Sequence, residues 1–192
     1  MIEKNGEQLN IQDNFLPEIE FGNLRDVIMG EQFPWFYSSK IVDGSDTTES
    51  PGQLVHIIYN DNTPQSQFYE SDMFIPIRNQ LRIGLLIRIK MNLRLRLPEP
   101  FESGYHTDTE YLPKDLAVKY TTSILYLNTC NGYTEFKDGT KVDSVANRIV
   151  NFPSSMMHRG TSCTDSPVRI VINLNYLKQS AVGHGRWFES KR

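Results

Sequence analysis

The chain has 192 residues, 39% of them hydrophobic and 22% charged, with a formal net charge of −3 and a pI of about 5.8. That length suits one globular domain able to bury a real core, and the slight acidity argues against a generic binder of polyanions. Two cysteines, Cys130 and Cys163, are too few for a disulfide scaffold and read as free thiols of a reducing compartment. With no apolar leader after Met1 and no apolar run long enough to span a bilayer, the expectation is a soluble cytoplasmic protein.

Residues 1–13 are polar and read as a strand or an arm. Asp13-Asn14-Phe15-Leu16-Pro17 has the residues of a helix start, and Ile19, Leu24, Val27 and Ile28 form a helical stripe that Gly30 stops. The aromatic run Phe33–Tyr37 reads as core packing, and 41–51 as a surface loop. Residues 54–59 form a short apolar strand in which His56 is structural, having no neighbour at ligand spacing. Residues 70–82 suggest a second helix despite Pro76. From 85 to 97 the residues alternate with period two: Arg88, Lys90, Asn92, Arg94 and Arg96 on one face, Ile87, Ile89, Met91, Leu93, Leu95 and Leu97 on the other. Of this polar face, Lys90 and Asn92 are expected to look into a cleft, and the outer arginines toward solvent or a substrate rim. Loops at 98–104 and 109–119 flank the segment Tyr105–Thr109. Four more strands are expected at 120–128, 133–137, 147–152 and 168–177, with a hairpin turn at Lys137–Lys141. His184 reads as an exposed tail residue. Many short strands after one or two supporting N-terminal helices fit a mainly β (α+β) chain folded as a double-stranded β-helix, a cupin-like jelly roll.

The chemistry concentrates in His106-Thr107-Asp108 and two later residues, His158 and Arg169. On a strand, positions i and i+2 share a face, so the imidazole and carboxylate can reach one ion. His158 supplies a third ligand. Two histidines and a carboxylate leave open positions on a non-haem Fe(II), although zinc also accepts such a set. Arg169 heads the apolar run Arg169–Leu174. A guanidinium buried there needs an anion, and its fork suits a carboxylate. Asn173, an even number of residues on, shares its face.

These residues, with Thr121–Asn128, Asn131–Phe136 and Asn147–Pro153 in the same order, resemble the 2-oxoglutarate- and Fe(II)-dependent dioxygenases, in their prolyl 4-hydroxylase-like branch. The resemblance covers about 85–178, so 1–84 reads as an N-terminal part of the same domain and 179–192 as a tail. It implies Fe(II) on His106, Asp108 and His158 as both metal ligands and catalytic centre, and 2-oxoglutarate and O2 as co-reactants, with ascorbate as an optional reductant. It further implies 2-oxoglutarate contacts from Arg169 and Tyr126, and sets Asn92 and Lys90 where relatives place another cosubstrate residue, usually a tyrosine. Asn173, by its shared face with Arg169, is a further candidate to touch the cosubstrate or the residues that hold it. The implied reaction hydroxylates a peptidyl proline or a small molecule and releases succinate and CO2. Asp108 argues against the halogenating relatives, which lack the carboxylate. Asn175, where base-demethylating relatives carry a second arginine, argues against nucleic acid as substrate. The alternatives are an oxygenase acting on nucleic-acid bases and a metal-bound jelly-roll binding module without turnover.

Overall fold

The computed structural model describes residues 2–4, 7–41, 50–109 and 117–179. The loop at 42–49, the centre of the loop after Thr109 and the tail with His184 lie outside these residues. The elements in chain order are β1 (Ile2–Lys4), β2 (Glu7–Gln12), α1 (Glu18–Ile28), β3 (Phe36–Ser38), β4 (Gln53–Asn60), β5 (Thr63–Pro64), α2 (Ile75–Leu81), β6 (Ile83–Leu95), β7 (Thr121–Tyr126), β8 (Tyr133–Phe136), β9 (Lys141–Asp143), β10 (Ile149–Pro153), β11 (His158–Gly160) and β12 (Val168–Lys178). The larger sheet runs β1-β2-β10-β7-β12-β6-β4-β3, with β5 hydrogen-bonded to β4; a second sheet runs β11-β8-β9. The pairs are antiparallel, and the two sheets form a jelly roll. No described helix is long and apolar enough to cross a membrane.

Strict alternation splits the interior in two. On β6, Ile89, Met91 and Leu93, and on β12, Ile170, Ile172 and Leu174, point to a core shared with Leu24, Ile28, Phe74 and Ile77 from the helical side. The opposite face contributes Ile124, Tyr126, Val150 and Val171 to a second cluster, closed by Phe136 and Val142 of the smaller sheet. The cleft lies on this inter-sheet side, so the polar face of β6 turns inward.

The helices differ in detail from their sequence patterns. The buried stripe of α1 is Phe21, Leu24 and Ile28, while Ile19 is 78% and Val27 44% exposed. Pro17 occupies the N-cap position, and no side chain caps the helix. Asn14 instead turns the chain at φ 51°, Asp13 pairs with Arg148, and both backbone groups of Leu16 bond the side-chain amide of Asn147. The second helix begins only at Ile75, after short 3-10 turns at Gln67–Glu70 and Asp72–Phe74. Pro76 falls in its first turn, where the missing N–H costs nothing. Of the aromatic run, Phe33 is buried against His56 and Phe68, whereas Phe36 and Tyr37 are exposed. Both ring nitrogens of His56 are engaged, by the Pro34 carbonyl and the Ser66 hydroxyl.

Candidate metal centre and anion cleft

His106 reaches the site through a one-residue bridge to His158 rather than from a continuous strand. Each residue's N–H donates to the other's carbonyl, at 2.9 and 3.0 Å, and the two rings stand 4.7 Å apart. The chain turns at Asp108, and that turn brings its carboxylate beside both imidazoles. The incoming segment is fastened to β11 and its continuation. Ser103 N–H donates to the Gly160 carbonyl, Phe101 N–H to the Ser162 hydroxyl, and Glu102 bridges to Thr161. Arg159, which points away from the cleft, pairs with Glu102 and Glu135 and lies 4.7 Å from the Tyr105 ring centre.

His106, Asp108 and His158 offer ligand atoms that all lie within 4.8 Å of one another. Asp108 oxygens stand 4.0 Å from His106 Nε2 and 3.8 Å from His158 Nε2. The Nδ1 atoms face the backbone carbonyls of Gly104 and Met156, each at 3.1 Å. Such bonds fix the tautomer and leave the Nε2 lone pairs for a cation. Burial alone would raise the Asp108 pKa, but Arg88, then His158 and His106, outweigh it and hold the carboxyl well below the usual carboxylate range. Burial pushes His158 below the ordinary histidine value, with Asp108 opposing. An ionised carboxylate and a neutral imidazole are the forms that bind metal. The donor set of two nitrogens and an oxygen thus fits a divalent transition metal.

Behind Asp108 sits a brace that the sequence reading missed. Arg88 Nη2 donates to Oδ1 at 2.8 Å and Arg88 Nε to Asn175 Oδ1 at 2.9 Å. Asn175 Nδ2 lies 3.3 Å from Asp108 Oδ2 and donates to Thr122 Oγ1 at 2.9 Å. Asn175 shares the strand face of Arg169 and Asn173, so parity alone would have flagged it.

From this brace a cavity of about 330 Å³ extends between the sheets, lined on β6 by Arg88, Lys90, Asn92 and Arg94 and on β12 by Arg169, Val171 and Asn173. Four residues of the polar β6 face therefore look inward. Lys90 and Asn92 line the cleft as their alternation indicates, but Arg88 and Arg94 do so too, and only Arg96, one residue past the strand, is exposed. The physical reason is the register: Arg88, Lys90, Asn92 and Arg94 stand opposite Asn175, Asn173, Val171 and Arg169, all on the inter-sheet face.

At the far end Arg169 is 3% exposed; its Nε donates to Ser144 Oγ and its Nη2 to Thr134 Oγ1. Among the described residues no carboxylate reaches it. Burial lowers its pKa, and no described residue supplies the counter-charge that a buried cation needs. Gly132 lets it lie there, since a Cβ would meet Arg169 Cδ at 2.5 Å. Asn173 Oδ1 is a buried acceptor without a hydrogen-bond partner among the described residues. Tyr126 does not line the cleft. It is fully buried, its hydroxyl donates to Thr134 Oγ1 at 2.8 Å, and its ring lies 5.5 Å from the Arg169 guanidinium carbon. Thr134, not the phenol, presents the polar atom to the cleft, because the Tyr126 ring is needed in the inter-sheet core. Cys130 and Cys163 are buried and unpaired.

No family model and no curated protein matches the chain. Solved structures do. A Pseudomonas putida prolyl-4-hydroxylase aligns over 91% of this chain and 94% of its own at 17% identity and a TM-score of 0.50. A Trichoplax adhaerens prolyl hydroxylase, solved with a hypoxia inducible factor oxygen degradation domain peptide fragment, aligns over 88% and 83% at 15% identity and 0.57. The epimerase SnoN, solved with Fe3+, alpha ketoglutarate and nogalamycin RO, aligns over 90% and 79% at 10% identity and 0.61. The chain has the double-stranded β-helix fold of the 2-oxoglutarate- and Fe(II)-dependent oxygenases, prolyl hydroxylases among them.

Proposed function

We propose that this chain is a 2-oxoglutarate- and Fe(II)-dependent oxygenase that hydroxylates a peptidyl proline or a small molecule. The observation that carries the proposal is one cleft with His106, Asp108 and His158 at one end and the unneutralised Arg169 at the other. In this reading His106 and His158 would hold the iron through Nε2 and Asp108 through a carboxylate oxygen, a three-residue donor set of the kind non-haem Fe(II) oxygenases use. Arg169, with the hydroxyls of Thr134 and Ser144, receives the distal carboxylate of 2-oxoglutarate. Asn173 and Asn92 line the passage between, and the lone Asn173 Oδ1 accepts a hydrogen bond from a bound group or water. His158 and Gly160 lie two residues apart on β11, about 6.6 Å at strand rise. That separation would suit a five-carbon keto diacid held between the histidine end and Arg169.

With O2 as the oxidant, bound iron and cosubstrate would supply the hydroxylation of a substrate C–H bond, one oxygen atom going to the substrate and the other to the succinate formed as the keto acid loses CO2. The chain's own residues bind, orient and exclude water. Arg88 and Asn175 hold Asp108 ionised and aimed, and Ile124 and Val171 give the cleft apolar wall. The similar structures solved with a hypoxia inducible factor peptide fragment and with nogalamycin RO support both substrate classes.

Succinate release tests the reading. Protein given Fe(II), 2-oxoglutarate and O2 should convert 2-oxoglutarate to succinate slowly without substrate and faster with a productive proline peptide or small molecule. His106→Ala and His158→Ala should abolish both rates. Metal and 2-oxoglutarate binding with no succinate under any condition would instead identify a metal-bound binding module.

A further inference from the structure

The far end of the cleft holds more positive charge than one arginine. In the β6:β12 register Arg94 stands directly opposite Arg169, so their Cβ atoms are neighbours about 4.5–5.5 Å apart on one face. Both are buried, at 8% and 3% exposure. Like charges in that relation destabilise a sheet, and burial removes the solvent that would screen them. Burial, then Arg169, pushes Arg94 down to about 9. A guanidinium hardly ever gives up its proton, so the strain is better relieved by an anion than by deprotonation. Among the described residues no carboxylate approaches either group. The only hydrogen bond of Arg94 among them runs from Nη1 to the Gly160 carbonyl at 2.7 Å, a task a neutral donor could fill.

The two groups also converge. A Cβ at Gly160 would lie 3.5 Å from Arg94 Nη2 and 3.5 Å from Arg169 Nη1. Neither nitrogen is committed to a described acceptor, and the missing side chain leaves the space between them open. A carboxylate in that space could accept from both guanidiniums, one per oxygen.

We propose that Arg94 is a second direct anchor for the distal carboxylate of the cosubstrate, shared with Arg169, and that it sets the preference for a keto diacid over a keto monoacid. The inference rests on the oxygenase reading above and adds a specificity residue to it. It also gives Arg94 an unusual energetic role: in the empty protein its charge is a burden, and in the bound protein an asset.

The test measures binding and stability without turnover. Protein loaded with Mn(II) under anaerobic conditions is titrated calorimetrically with 2-oxoglutarate and with 2-oxovalerate, which has the same chain length but no distal carboxylate. Arg169→Gln should weaken 2-oxoglutarate binding a hundredfold or more. Arg94→Gln should weaken it at least tenfold, with 2-oxovalerate unchanged within twofold. Arg94→Gln keeps a donor for the Gly160 carbonyl, so the metal-free variant should melt at or above the wild-type temperature, while the rise on adding 2-oxoglutarate shrinks. Arg94→Lys, which keeps the charge, should retain part of the diacid preference. If Arg169→Gln discriminates between the two acids and Arg94→Gln does not, the shared anchor is wrong and the oxygenase reading stands. Failure of Arg94→Gln to fold, or a lower melting temperature without ligand, would equally overturn the anchor by making Arg94 structural. If neither variant separates the two acids, the oxygenase reading itself fails.

Discussion

Asp108 and Arg88 set the terms at the scale of single residues. The carboxylate is 7% exposed and its partner lies 2.8 Å away, so removing the arginine leaves a buried charge whose remaining described partners are Asn175 and the histidines. Breaking a buried pair from one side typically costs about 3–5 kcal/mol. Arg88→Ala should therefore lower both the melting temperature and the Mn(II) affinity, and Arg88→Lys should restore part of each; equal metal affinity in all three proteins would remove the brace from the account. Tyr126 makes the opposite case. Its hydroxyl bonds Thr134 behind the cleft, so Tyr126→Phe should cost about 0.5–1.5 kcal/mol of stability and change 2-oxoglutarate affinity only slightly. A loss as large as that of Arg169→Gln would return the phenol to direct contact. The sequence reading linked Tyr126 to the carboxylate through family resemblance. Its partner Thr134 was hidden, because that bond joins residues of two sheets. For Cys163, burial and the neighbouring Cys130 push the thiol up to about 11. A thiol reacts as its thiolate, so alkylation by iodoacetamide at neutral pH should await unfolding.

Among the elements, β6 shows what periodicity can and cannot give. Its two faces were legible from Arg88, Lys90, Asn92 and Arg94 alternating with Ile89, Met91 and Leu93. What the alternation lacks is the neighbour. Only pairing with β12, which sets Arg94 against Arg169 and Arg88 against Asn175, turns that face inward from end to end. The His106–Asp108 pair was legible as a ligand pair but not as a bridge and turn, because His106 owes its position to His158, fifty-two residues later. Helix α1 was legible in place but not in phase: Ile19 and Val27 read as core, yet Phe21 fills that side. Leu24→Ala should cost about 2–5 kcal/mol, and Ile19→Ala should fall within about 0.5 kcal/mol of wild type, as denaturant unfolding would show. Ahead of α1, the exposed Asp13–Arg148 pair fastens the chain to the residue that leads into β10. Arg148 hydrogen bonding first of all lowers the Asp13 pKa. A depressed carboxylate stabilises the fold above its unfolded value, about 3.9, and that contribution fades as pH falls through the lower folded value. Asp13→Asn should thus destabilise slightly at pH 7, and the difference from wild type should narrow as pH falls below about 4.

For the whole molecule, the jelly roll closes two sheets over a cleft whose ends are chemically unlike, one acidic and imidazole-rich, the other doubly cationic. Strand order was beyond the sequence, since β2 pairs with β10 and β12 lies between β6 and β7. Such long-range pairings leave no local signature. The energetic design follows from the cleft: its cationic end carries buried charge that a bound dianion would neutralise, and its other end holds a ligand set that a bound cation would use. A ligand that binds only the folded state stabilises it by about 2.7 kcal/mol at a hundred times its Kd. Mn(II) and 2-oxoglutarate together should therefore raise the melting temperature more than either alone, and chelation should reverse the gain.

The most direct measurement is an anaerobic titration of the protein with Fe(II) and then 2-oxoglutarate, followed by visible absorption. The account predicts one iron per chain and a weak charge-transfer band from a keto acid chelated to it, lost in His106→Ala, Asp108→Ala and His158→Ala. In Arg169→Gln the band should persist but need far more 2-oxoglutarate. Unchanged iron content in the triple variant, or a band indifferent to Arg169, would contradict the claim that these residues form the two ends of one oxygenase site.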